Sequence, residues 1–499
     1  MIRTPHPVAR RSAALLAGLM LALGAAAPAV AGQCQSFCGQ AQPQALAIGG
    51  SAEGFVGELR LGLNAGYDSV VLDQAGPFRF ARRLAQGQAY EVRVLRHPTG
   101  RHCTVTGGQG LAMAEVADVR VECTTGRVAA LPAQQGQAAD AGPLGPLLRD
   151  AQHNLYAIAV RGGEHGHGAV LRIAADGTRT LLHSFDTPDA IRSAYRLALS
   201  ADAQYLVGVT HGGGEHDQGT VFRLRRDGSD YQTVHSFGGD GPALASSGLL
   251  LASDGSFYGL SACDGMYGGG TLYRWQAGAA LQVVHSFANP NDLGGRPPPQ
   301  AVEVDAAQSL VLPAGDLVEG EGGVLYGSAM FGGAYRNGGV FSYRLQTGRL
   351  STLVSLPPQV SPPQGGLMRA RDGDLYGLTS IDLHMRSAVF RVSAAGQLGL
   401  YLLDPAQTAI ERPRGVLLQG SDGLLYGVSA AGGLHGAGTL FSVDPEAGTT
   451  LVRLSFGGPD AATLGTAPDH GLYAAANGDL YGSTELAGPQ GRGELFVID

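Results

Sequence analysis

Lysine is absent from this 499-residue chain, so all 34 basic residues are arginine. Without a lysine amine there is no Schiff-base chemistry and no lysine-activated nucleophile. Positive charge is scarce as well: 42 acidic residues give a formal net charge of -8. No concentrated basic face is available to neutralise phosphates, and no nucleic-acid partner is expected. Long apolar runs are missing beyond Ala31, where none approaches the roughly 20 residues of a spanning helix. Catalytic signatures are missing too: no phosphate loop, nucleotide fingerprint, Gly-x-Ser-x-Gly elbow or His-Glu-x-x-His occurs. What abounds is glycine, 78 residues, among regularly spaced apolar residues, a composition for tight turns and buried strands rather than disorder.

The first residues read as a leader. Arg3, Arg10 and Arg11 precede the apolar run Ser12 to Ala27, which ends in the small-x-small site Ala29-Val30-Ala31. Residues 1–31 are therefore expected to be a signal peptide, with Gly32 at the mature N-terminus. Gln33 before Cys34 breaks a lipoprotein box, and Ser12-Ala13-Ala14 after Arg10-Arg11 lacks the Phe-Leu of a twin-arginine signal. General secretion and a secreted or periplasmic location follow. The chain stops at Asp499 inside its last repeat, so no C-terminal anchor is expected. In an exported chain cysteines pair, and Cys103 with Cys123 would close a loop worth about 3 kcal/mol in the loop-entropy account. Cys34 and Cys38 are close enough to pair with each other, and Cys263 reads as a small apolar residue beside a strand.

From Leu155 to Phe496 one phrase recurs seven times: an apolar pair ending in Tyr-Gly, a glycine-rich gap, then Gly-x-apolar-aromatic. It is plainest at Leu425-Tyr426-Gly427, Gly432-Gly433 and Gly438-Thr439-Leu440-Phe441. The other copies centre on Tyr156, Leu206, Tyr258, Tyr326, Tyr376 and Tyr481, at intervals of about fifty residues. Each copy divides into four short strands, as at Gly248 to Ala252, Phe257 to Ser261, Thr271 to Trp275 and Gln282 to Phe287. Asp254-Gly255, Asp372-Gly373, Asp422-Gly423 and Asn477-Gly478 supply the positive φ that a two-residue hairpin demands. Strands such as Val221-Phe222-Arg223-Leu224 are apolar nearly throughout, as strands covered on both faces should be. Neighbouring copies must provide that cover, and seven can close into a ring. The predicted fold is thus all-β: a seven-bladed propeller of four-stranded blades over 126–499. Copy seven lacks an outer strand, and the unassigned stretch Arg127 to Leu131 is expected to complete it.

Residues 32–125 form a smaller all-β module, with strands expected at Gly57 to Leu61, Ser69 to Leu72, Phe78 to Phe80 and Tyr90 to Val94. Its Tyr90 to Val94, Pro98-Thr99-Gly100, Cys103-Thr104-Val105 and Val119 to Cys123 resemble the immunoglobulin-like modules of bacterial exported proteins. That likeness implies a β-sandwich that spaces or presents other domains. The repeats, with Gly219-Thr220-Val221-Phe222, Asp227-Gly228, Val234-His235-Ser236-Phe237 and Val284-His285-Ser286-Phe287, resemble the GloVer tandem repeat of bacterial exported proteins, a kelch-like propeller unit, from about Leu147 to Asp499. In copies two and five the sequence departs from it: Leu206 stands for the tyrosine, and Ile381-Asp382-Leu383 for the glycine pair. The resemblance implies fold and export, and leaves activity open.

The most chemically suggestive cluster is histidine-rich. His165 and His167 in copy one, and His211 and His216 in copy two, lie in the loops between second and third strands. Those imidazoles could meet at one ion across adjacent blades, but no cysteine or spaced carboxylate completes the set, so no metal, cofactor or catalytic residue is assigned. His183, His235 and His285 recur in register before Ser-Phe, which predicts a structural hydrogen bond between strands, and Ser184, Ser236 and Ser286 are not nucleophiles by the same repetition. Arg336, Asn337, His435 and the link Arg296-Pro297-Pro298-Pro299 vary on the loop face, where propellers generate binding sites. The function expected is an exported, monomeric, non-catalytic protein that binds a glycan or protein outside the cytoplasm or acts as a scaffold there. The alternative is a metal-dependent lyase or hydrolase of extracellular polymer built on the four histidines.

Overall fold

The computed structural model describes residues 45–498 apart from 65–67, 97–100, 126–127, 131–141, 143, 153, 175–177, 187–194, 240–241, 289–309, 381–385, 404–408, 421–422, 459–463, 475–479, 487 and 489–492. The leader, Cys34, Cys38, Arg127, Leu131, the Arg296 to Pro299 link, Ile381 to Leu383, Asp422 and Asn477-Gly478 lie outside the described residues.

The N-terminal module is organised by one long strand, Ile48–Leu63. Its first half runs parallel to Val116–Thr125, its second half antiparallel to Ala89–Arg96, and Asp68–Arg79 pairs along most of its length. The stretches expected as separate strands at Ser69 and Phe78 are thus one strand, because Gly76 opposite Ala52 continues the ladder instead of turning it. Alternate residues of these strands (Leu59, Leu61, Leu63, Val92, Val119 and Val121) fill a core of their own. Cys103 and Cys123 face each other directly across two antiparallel strands, both buried, and are joined by a disulfide.

Seven sheets of mainly four strands follow, at 148–184, 198–236, 242–288, 310–355, 368–403, 410–455 and 466–498. Blade six shows the plan: Ile410–Gln419, Leu425–Gly432, Thr439–Asp444 and Thr449–Ser455, each antiparallel to the one before. In blade three the innermost strand is split into Pro242–Ala245 and Leu250–Leu251, both on Phe257–Asp264. Blade seven takes its outer strand from the start of the ring: Val128–Ala130 pairs with Phe496–Ile498. Among the described residues no blade has a core of its own. Each cluster of buried side chains joins one blade to the next, from Ile158 with Phe222 to Val428 with Phe496, and Leu495 of blade seven packs with Ala157 of blade one. The apolar strands are therefore covered on both faces by neighbours, as their sequences require.

Two local expectations are corrected. Gly208 pairs with Phe222 as Gly427 pairs with Phe441, so the tyrosine place in blade two is Val207, and Leu206 stands in the place of Leu425. The Asp-Gly turns are also longer than two residues. Leu251 pairs with Phe257 across a five-residue loop in which Gly255 alone takes positive φ, 78°, its amide bonded to Ala252 O at 2.9 Å. Asp254 accepts from the Ser256 amide at 2.9 Å and from the Tyr258 hydroxyl at 2.9 Å, so this carboxylate is committed to the turn. Among the described residues no helix is long and apolar enough to cross a membrane.

Candidate functional site

Antiparallel strands turn at alternate ends, so the second-to-third-strand loops and the links between blades share one face. Each such loop is held by a fixed set of bonds. In blade six Gly433, Gly436 and Gly438 take φ of 77°, 69° and 105°. The Gly438 amide reaches Gly432 O at 3.1 Å, the Leu434 amide donates to Ser455 Oγ at 3.2 Å, and the Phe456 amide donates to Gly438 O at 2.9 Å. Blade one repeats this with Glu164 on Ser184 Oγ at 2.8 Å, and blade four with Ala334 on Ser355 Oγ at 3.0 Å. A Cβ on Gly438 would meet Ser429 O at 2.5 Å. The glycines and the Ser-Phe of the repeat are thus two halves of one loop support, which gives these serines a structural acceptor role.

Two tip residues stand between the second glycine and the left-handed position: Glu164-His165, Glu215-His216, Met266-Tyr267, Ala334-Tyr335 and Leu434-His435. The next residue has positive φ in each case, at Gly166, Asp217, Gly268, Arg336 and Gly436. The second tip position therefore carries an imidazole or phenol ring in five blades. Met266, Tyr335 and Leu434 are well exposed, Leu434 at 87%. His165 and His216 hold this same place in different blades, His167 pairs its backbone with Gly162, and His211 opens its loop half-buried. The His216 ring lies against Gly239, where a Cβ would come within 3.4 Å of Nε2, and His435 lies likewise over Gly457 and Gly458. Among the described residues no three His, Cys, Asp or Glu side chains come together where they could hold a metal ion. Asn337 is buried and donates to Pro357 O at 2.8 Å and Val360 O at 2.9 Å, tying its loop to the following link.

The three register histidines do not bridge strands as expected. His183, His235 and His285 each pack edge-on against the phenylalanine two residues on, with centroids 5.1, 5.3 and 5.0 Å apart, and His183 also stacks on Tyr231 at 3.7 Å. His235 Nε2 is buried without a hydrogen-bond partner. Burial pushes all three imidazoles below their ordinary value, His285 to about 4. They are neutral packing groups.

Sequence reasoning missed a charged cluster on the innermost strands of blades six and seven. Arg414 Nε lies 3.6 Å from Asp469 Oδ1, and His470 Nε2 lies 3.9 Å from Asp469 Oδ2. Burial holds His470 below its ordinary value, against the pull of Asp469 and Glu485 and with the help of Arg414. A signal was present: Pro313-Ala314-Gly315, Pro363-Gln364-Gly365 and Pro413-Arg414-Gly415 form a second, weaker repeat, and Pro468-Asp469-His470 departs from it. At these glycines the inner strands of adjacent blades touch, since a Cβ on Gly365 would meet Gly415 O at 2.5 Å.

Fold and loop face together define a closed seven-bladed propeller of tandem repeats carried behind a small disulfide-bonded β module. The chain matches the Gloeobacter/Verrucomicrobia repeat over residues 91–309 and 313–499, and it belongs to that family. The match begins inside the module, upstream of the first blade. No curated protein matches the chain. Among solved structures it is similar to an oligogalacturonate lyase from Vibrio parahaemolyticus, at 9% identity and TM-score 0.45, over 83% of this chain and 98% of that one. It is also similar to a putative 6-phosphogluconolactonase from Bacteroides fragilis, at 14% identity and TM-score 0.41, over 65% and 85%. TolB from Acinetobacter baumannii aligns at 12% identity and TM-score 0.35, over 64% and 86%.

Proposed function

We propose that this protein is exported and uses the loop face of its propeller to bind a glycan outside the cytoplasm, without turning it over. The supporting observation is the ring of His165, His216, Tyr267, Tyr335 and His435, one planar side chain at the same tip position in five blades. Planar rings on a rigid, repeated frame suit a ligand that is itself built of repeated units with apolar faces and hydroxyl edges. Export rests on the leader-like N-terminus, and the disulfide fits an oxidising compartment. The N-terminal module then serves as a stem that presents the propeller.

Glycan arrays probed with the exported protein test this, beside a variant carrying Tyr267→Ala, Tyr335→Ala and His435→Ala. Binding of a saccharide class that falls about tenfold or more in the variant, at unchanged melting temperature, is the expected result. Binding of no saccharide, or binding indifferent to the three substitutions, would sink the reading.

A further inference from the structure

Only Gly126 and Arg127 separate the last strand of the N-terminal module, Val116–Thr125, from Val128–Ala130, the strand that completes blade seven. That closing strand is three residues long, and its pairs are Phe496↔Ala130, Val497↔Ala129 and Ile498↔Val128. So short an edge strand is weak by itself and would open readily if its end were loose. Its hold on blade seven depends on how close the chain before it keeps it, since a short tether raises the effective concentration of a strand beside its partner. The chain before it is anchored firmly. Val119, Val121 and Cys123 on Val116–Thr125 are buried in the module core, and Cys123 is bridged to Cys103 on the neighbouring strand.

We propose that the module is the clasp of the ring: its folded core and its Cys103–Cys123 bridge hold Val128–Ala130 against Phe496–Ile498, so that loosening the module opens blade seven. The role of the module is then conformational as well as spatial, because the state of a domain outside the propeller sets the integrity of the propeller. The short spacing makes the coupling direct. Every other outer strand is joined to its third strand by a hairpin within its own blade, whereas the seventh arrives from the module.

The chain contains its own reporter. Trp275 is the single tryptophan and is buried in blade three beside Phe257, at 5.4 Å between ring centroids, so its fluorescence reads the propeller alone. The test is a double-mutant cycle on the full chain. One arm is Cys103→Ala with Cys123→Ala, and the other inserts a long Gly-Ser linker after Thr125. Read-outs are hydrogen exchange of Leu495–Ile498 and thermal unfolding followed at Trp275. With the native spacing, loss of the bridge should speed exchange of that strand about tenfold or more and lower the Trp275 transition. With the linker, exchange is fast from the start and loss of the bridge adds nothing. Unchanged exchange after loss of the bridge, or effects of the two changes that simply add, overturns the proposal. If the alanine pair prevents folding, the linker arm alone decides: faster exchange with the bridge intact supports the clasp, and native exchange rates overturn it.

Discussion

A glycine after the repeated tyrosine is the most regular residue in the propeller, and the reason for it is a ring on the next strand. A Cβ on Gly427 would lie 2.5 Å from Phe441 Cζ, and on Gly377 2.3 Å from Phe390 Cζ. Blade one shows the compensated case: Ala157 stands where the glycine would be, and Leu171 opposite it replaces the aromatic ring. Gly427→Ala should therefore destabilise the protein by about 1–3 kcal/mol through overpacking, and adding Phe441→Leu should recover part of that loss. Urea midpoints of the single and double variants measure it. A double variant no more stable than Gly427→Ala alone would show that the fit lies elsewhere. Tyr-Gly was visible in the sequence as a recurrence, but recurrence names no cross-strand partner. That is why the pattern in blade two, with its tyrosine replaced and its glycine at Gly208, points one residue out of register. The loop-tip histidines stand out in the sequence, but as metal-ligand candidates, since spacing alone cannot tell a place in a supported loop from a shared ligand set.

Along the outer strands the informative comparison is between blades. His183, His235 and His285 precede the serine in blades one to three, where Val354 and Leu454 stand in blades four and six. A neutral, buried imidazole does the packing work of an aliphatic group but responds to acid. Above the ordinary value of 6.5 His285 is neutral whether folded or unfolded; below it the unfolded chain takes up a proton that the folded protein accepts only near 4. Stability should thus fall as pH drops through that window, by at most roughly 3 kcal/mol from this residue. His183 and His235, lowered by the same cause, add to the slope. His285→Val should flatten the dependence, and urea unfolding at intervals of pH measures it; a variant as acid-sensitive as the parent would contradict the assignment. The sequence displays these histidines in register, but it predicts a hydrogen bond there because period two does not say whether a half-polar side chain faces a partner or a ring.

At the level of the whole ring, blade count, strand order and the borrowed outer strand could all be read from a period near fifty residues, since an incomplete last copy and a spare apolar stretch before the first have one economical solution. The axis could not. Its Pro-x-Gly contacts are few residues per blade, and backbone touching backbone leaves little trace in side-chain patterning, so Arg414, Asp469 and His470 emerged only in three dimensions. A chain beginning at Gly142 lacks Val128–Ala130 and leaves the edge of Leu495–Ile498 unpaired, so it should aggregate, whereas one beginning at Thr125 keeps that strand without its clasp and should stay soluble but melt below the full chain. Static light scattering and melting of the two chains decide this, and equal behaviour would mean that the ring closes by other means. The loop support carries one more consequence. Because its bonds run through glycine backbones, one serine and the amide of the first tip residue, none of them depends on which side chains the two tip positions carry. The face works like a printer's forme in which the type can be changed while the frame stays locked: exchanging Leu434-His435 for the Ala334-Tyr335 pair of blade four should rewrite what blade six offers a ligand and leave every loop where it was.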